Sequence, residues 1–133
     1  MREIKKDGTI LARHITADDI QNGLNFFSAD EDFIQVGVWG NYEKGKELKA
    51  HIHNTVKKTA ERTHEALYII KGSIEAALYD LDETYLETVE VHQGEILVLL
   101  ECGHGYKILE DGTTVLEVKN GPYPGADIDR RRI

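Results

Sequence analysis

The chain has 133 residues, about the size of one domain. It is 41% hydrophobic and 30% charged, as in an ordinary globular protein, and no apolar run approaches the roughly 20 residues that would span a bilayer. Lys and Arg total 16 against 24 Asp and Glu, and the net charge of -8 is the wrong sign for gathering phosphates by counterion release, so neither nucleic acid nor membrane is expected as a partner.

In chain order, the first signal is Thr16 followed by Asp19, with Ile20, Leu24 and Phe27 spaced by four and three. This predicts a capped amphipathic helix of about three turns that packs its apolar stripe on a sheet. Beyond Asp32 the rhythm changes to short segments rich in Val, Ile, Leu, Tyr and Thr, separated by turn residues. Strands are predicted over Phe33–Tyr42, Glu47–His53, Glu65–Ile70, Ser73–Tyr79, Tyr85–His92, Ile96–Leu100, Gly105–Leu109 and Thr113–Lys119. Short, evenly spaced strands with glycine-containing turns point to an all-β sandwich or barrel. Leu67–Ile70 and Ile96–Leu100 are apolar on both faces, which calls for a second covering, either the N-terminal segment or another subunit. After Lys119 the run Asn120-Gly121-Pro122-Tyr123-Pro124-Gly125 ends the ladder, and the chain closes on Arg130, Arg131 and Arg132, read as a solvated tail or a clasp on an acidic neighbour.

The chemistry-bearing residues fall at the ends of these strands. Alternation puts residues i and i+2 on one face about 6.5 Å apart, so His51 and His53 project side by side. With Glu65 and His104 they form a mixed nitrogen and oxygen donor set suited to divalent Fe, Mn, Ni, Co or Zn. His64 competes with Glu65 because adjacent strand residues face opposite ways. If Leu67 and Ile69 line the interior, Glu65 joins them; if Ala66, Tyr68 and Ile70 do, His64 is inside.

The order Gly45, His51, His53, Glu65, Gly72 resembles the first motif of the cupin family, G-x5-H-x-H-x(3,4)-E-x6-G. Gly94 followed by His104 resembles its second, G-x5-P-x-G-x2-H. The chain departs from the pattern in the long stretch Asn54–His64 before Glu65, in Leu100 and Cys102 at the expected proline and glycine, and in a histidine one place early. The resemblance implies one domain, 1–133: an antiparallel double-stranded β-helix (jelly-roll or cupin barrel) with a motif core of about 33–119. An N-terminal strand and helix would occupy 4–28 and an irregular tail 120–133. It also implies a divalent metal held by His51, His53, Glu65 and His104, with open positions for a small polar substrate such as a sugar or organic acid.

Three functions follow as expectations: a metal-dependent isomerase, epimerase or dioxygenase; a metal-free sugar-nucleotide isomerase of the same fold; and a binding or sensing module without turnover. His64, Tyr68 and Arg62 are the candidates for catalysis, His64 or a tyrosine as acid or base and Arg62 as the partner of an anionic group. Tyr79 and Tyr106 are further candidates to line a pocket, whereas His14 and His92 stand outside the site. Cys102 is read as a small buried hydrophobe, with a soft metal ligand beside His104 as the alternative. One cysteine cannot close an internal disulfide, and no secretory signal is visible near the start, so the expected location is the cytoplasm. Strands apolar on both sides also lead to the expectation of a homodimer.

Overall fold

Two sheets bury one apolar layer between them, and period-two alternation decides which residues enter it. The computed structural model describes all residues, 1–133. Its strands are β1 (Arg2–Lys6), β2 (Thr9–Ile15), β3 (Gly23–Phe26), β4 (Gly37–Gly40), β5 (Glu65–Lys71), β6 (Ser73–Tyr79), β7 (Tyr85–His92), β8 (Ile96–Leu99), β9 (Gly103–Ile108) and β10 (Thr114–Lys119). All ladders are antiparallel. One sheet runs in the order β1-β2-β8-β5-β10, a second β7-β6-β9, and β3 pairs with β4 alone. The fold is therefore mostly antiparallel β. No helix is long and apolar enough to cross a membrane.

The main core takes Leu67 and Ile69 from β5 and Leu97 and Leu99 from β8, facing Ile74, Ala76 and Leu78 of β6 and Val89 and Val91 of β7. Every one of these residues is buried, and each alternates with a residue on the opposite face. The parity question is thereby answered: Leu67 and Ile69 point inward, and Glu65 points with them.

Three expectations need correcting. The helix over 16–27 stops after one 3-10 turn, Ala17–Asp19. The capping box forms as expected, with the Thr16 N–H and hydroxyl both donating to Asp19. The chain then leaves helical geometry at Ile20, and Gly23 adopts φ +99°. Asn25 takes over the local backbone, accepting from Gln21 N–H and donating to the carbonyls of Gln21, Gly23 and Val38. This side-chain competition for backbone partners favours turns over helices. Gly40 is required opposite, because a Cβ there would collide with the Gln21 carbonyl.

The strand over Phe33–Tyr42 shortens to β4, and that over Glu47–His53 does not form. Residues from Asn41 to Arg62 are all exposed, and the only backbone bond within that stretch is Lys46 N–H to Glu43. A strand is stable only where a neighbour completes its ladder, and none lies beside this lysine- and glutamate-rich stretch.

The second covering for the two-faced strands comes from the chain's own N-terminal part. Phe27 and Ile34 pack with Ile15, Val98 and Leu100 on the outer side of β2 and β8, flanked by Ile20, Val36 and Val38. A buried Arg13–Asp32 ion pair, with Asp32 also accepting from the Ala29 N–H, ties this cover to β2. It reaches Ala66 at the start of β5 but leaves the rest of that outer face and β10 uncovered, where Tyr68, Ile70, Leu116 and Val118 are exposed.

Candidate functional site

Glu65 opens β5, lying opposite Leu99 of β8 on one side and Lys119 of β10 on the other. Residues directly opposite in an antiparallel ladder share a face. Lys119 thus lies on the same side as Glu65, and its ammonium donates to Glu65 Oε1 at 2.7 Å and contacts Glu117 Oε1 at 3.0 Å. From the other sheet, β9 sets His104 opposite Leu78 and Tyr106 opposite Ala76. Leu78 and Ala76 are core residues, so the two rings face inward and stack with centroids 5.2 Å apart. His104 Nε2 lies 3.3 Å from Glu65 Oε2, and the Tyr106 hydroxyl donates to the same oxygen at 3.5 Å. His104 Nδ1 is buried without a hydrogen-bond partner.

The electrostatics follow from that packing. Burial of the Glu65 carboxyl opposes ionisation and is the largest single effect. The bonds and charges of His104 and Lys119 together outweigh it and hold the carboxyl down from 4.5 to about 2. Burial and the Glu65 charge push the Tyr106 phenol well above its ordinary value, so the hydroxyl keeps its proton and acts as a donor. Lys119 pays desolvation, yet its carboxylate neighbours Glu65 and Glu117 raise it, so the ammonium stays charged. The result is an ionised carboxylate held among three donors.

These groups lie at one end of the interior, where a cleft of about 630 Å³ opens to solvent. Besides the four side chains it is lined by Arg62, Tyr79 and Cys102 and by the C-terminal residues Asp129 to Ile133. Burial pushes the Cys102 thiol up to about 12, and the side chain packs against the core as the small hydrophobe expected of it.

The structure divides the expected site residues. Glu65 and His104 meet. His51 and His53 keep each other's company, ring centroids 5.0 Å apart, but both lie on the exposed 41–62 stretch and neither lines the cleft. No group of three or more His, Cys, Asp or Glu comes together as a metal ion requires. Lys119 occupies Glu65 Oε1, and His104 and Tyr106 lie at Oε2, so both oxygens of the carboxylate already have neighbours. Of the four expected ligands, Glu65 and His104 share the cleft, and His51 and His53 lie outside it in this arrangement.

His64 is buried on the side opposite Glu65. Its Nδ1 accepts from the Phe33 N–H at 3.2 Å, and its ring stacks on Phe33 at 4.7 Å. Its backbone N–H donates to Asn120 Oδ1 at 2.7 Å, and its Nε2 lies 3.6 Å from Glu101. It serves as an anchor between the 30–36 cover and β5 and does not face the cleft. Tyr68 is 43% exposed on the outer face, away from the interior, because it alternates with Leu67 and Ile69. Arg62 reaches the rim but is engaged by Glu101 at 2.8 Å. His14 bonds Glu95 at 2.7 Å and has a structural part, while His92 is exposed.

Sequence reasoning missed Lys119 as a site residue. Its signal was present, since pairing the strand before Asn120 with the strand opening at Glu65 sets the lysine beside the glutamate, but that pairing is a tertiary fact. Comparison with protein-family models, curated proteins and solved structures returned no match.

Proposed function

We propose that this chain is a small-molecule-binding domain of jelly-roll type whose cleft takes a polar ligand such as a sugar or an organic acid at Glu65 and His104. The observation that carries the reading is the buried, ionised Glu65 carboxylate, bridged to His104, Tyr106 and Lys119 at the floor of an open cleft. Such a carboxylate keeps lone pairs that accept from ligand hydroxyls, and the Lys119 ammonium, engaged by Glu65 and Glu117, keeps a third N–H to donate. The movement of the chain between two sheets, β5 to β6 and β7, back to β8, across to β9 and back to β10, supports the jelly roll and hence the cupin resemblance.

The test is calorimetric titration of sugars and hydroxy acids in buffer containing a chelator. At least one ligand is expected to bind, with a loss of about tenfold or more in His104→Ala, the scale of one charge-assisted hydrogen bond. Binding that His104→Ala leaves untouched would remove the site from consideration.

A second reading keeps the metal, supported by the side-by-side placement of His51 and His53. It needs the 41–62 stretch to lie against β5 and Lys119 to leave Glu65. Zn²⁺ titration separates the two: equal losses in His51→Ala and His104→Ala would favour four shared ligands, and a loss in His51→Ala alone would favour the exposed pair.

The homodimer belongs to the same proposal. The outer side of β5 and β10 pairs Tyr68 with Leu116 and Ala66 with Val118, and carries no charge in that set. The outer edge of β10 has no ladder partner. For a chain of net charge -8, an uncharged patch is where a second copy meets least repulsion.

A further inference from the structure

The three arginines before Ile133 lie along the cleft, exposed but held at its rim. Thr63 Oγ1 donates to Asp129 Oδ1 at 2.6 Å. Arg131 pairs with Glu83 at 3.1 Å and donates to the Leu81 carbonyl at 2.8 Å. Ile133 lies over Gly103, where a Cβ would stand 2.6 Å from its Cδ1. The tail is thus latched at three points onto the rim, and Arg130, Arg131 and Arg132 all line the cleft.

Most of the charged groups around the cleft already have partners. Arg62 is held by Glu101, Arg131 by Glu83 and Lys119 by Glu65 and Glu117. Among the carboxylates Asp80 pairs with Lys6, and Asp129 has the Thr63 hydroxyl. Arg130 and Arg132 alone among the lining cations have no carboxylate within ion-pair distance. A guanidinium is always charged and its planar fork matches the oxygens of a carboxylate or phosphate.

We propose that Arg130 and Arg132 grip an anionic group on the ligand of this cleft, so that the substrate class is a carboxylate- or phosphate-bearing small molecule. The inference rests on the cleft reading above and narrows its ligands, neutral sugars included, to those that carry an anionic group. The neutral part of such a molecule meets Glu65 and His104 on the floor, and its anionic end meets the two arginines at the mouth.

The test uses glucose, glucose 6-phosphate, gluconate and inorganic phosphate as calorimetric probes of the full chain, with the double variant Arg130→Ala/Arg132→Ala and, separately, Glu65→Gln. Both arginines are exposed, so the double variant keeps the fold, checked by circular dichroism. The proposal expects either charged sugar to bind about tenfold or more tightly than glucose, and the double variant to erase that preference. A preference for glucose 6-phosphate alone assigns a phosphate ligand, and one for gluconate alone a carboxylate; both support the proposal. Equal binding of glucose and its charged forms overturns it while leaving the cleft reading in place. Inorganic phosphate binding that survives the double variant also overturns it. No binding of any probe, with Glu65→Gln likewise silent, overturns both.

Discussion

Glu65 shows how one residue is decided by its neighbours. Alone, a carboxylate that is nearly removed from solvent would resist ionisation; between Lys119 and His104 it is held to about 2. A lowered folded value means that the unfolded chain binds the proton more readily, so Glu65 contributes stability above its unfolded value of 4.5, and the contribution is lost as pH falls toward 2. Glu65→Gln is therefore expected to cost about 2 kcal/mol at neutral pH, since Lys119 loses a partly buried partner. The gap to wild type should close between pH 4.5 and 2, which urea unfolding at several pH values measures. A gap independent of pH would show that the carboxylate is not held in this way. His64 teaches the converse. This candidate acid or base next to Glu65 has its Nδ1 and ring engaged by Phe33 and keeps a buried Nε2 without a hydrogen-bond partner, 3.6 Å from Glu101 and away from the cleft.

Among the elements, β6, β7 and β10 were legible almost to the residue, because apolar alternation and bounding glycines are local signals. Local signals misled at two places. The 16–27 segment carries both a helix cap and a turn-forming Gly23 and Asn25, and pairing with β4 settled the contest in favour of a strand. The 47–53 segment alternates as a strand should, but alternation does not create a neighbour. A comparison of two substitutions tests this. Ile52 is 92% exposed, so Ile52→Ala should change stability by less than about 0.5 kcal/mol. Leu78 is fully buried beneath His104, so Leu78→Ala should cost about 2 to 5 kcal/mol. A cost above about 1 kcal/mol for Ile52→Ala would mean that the segment packs as the expected strand.

Over the whole molecule, the half of the candidate site that could be read from the sequence is the half carried on regular strands. Glu65 and His104 meet because β5 and β9 enclose the same core; Lys119 also sits on a strand, β10, but its place beside Glu65 depends on the β5–β10 pairing, and the arginine tail follows no strand pattern at all. The same packing leaves Tyr68, Ile70, Leu116 and Val118 exposed on the outer side of β5 and β10, so, on the proposed pairing, light scattering at micromolar concentration should return twice the 15.0 kDa of one chain. Leu116→Lys, which sets a charge in the middle of that face, should return the single mass. An unchanged dimer in that variant would move the interface elsewhere.

The central claim is that Glu65 and His104 floor a ligand cleft, and the most direct measurement follows the His104 ring by two-dimensional NMR during titration with the tightest ligand of the calorimetric panel. The account predicts that the His104 resonances shift in proportion to occupancy while those of His51 and His53 stay fixed. Saturation of the protein with no change at His104 would contradict it.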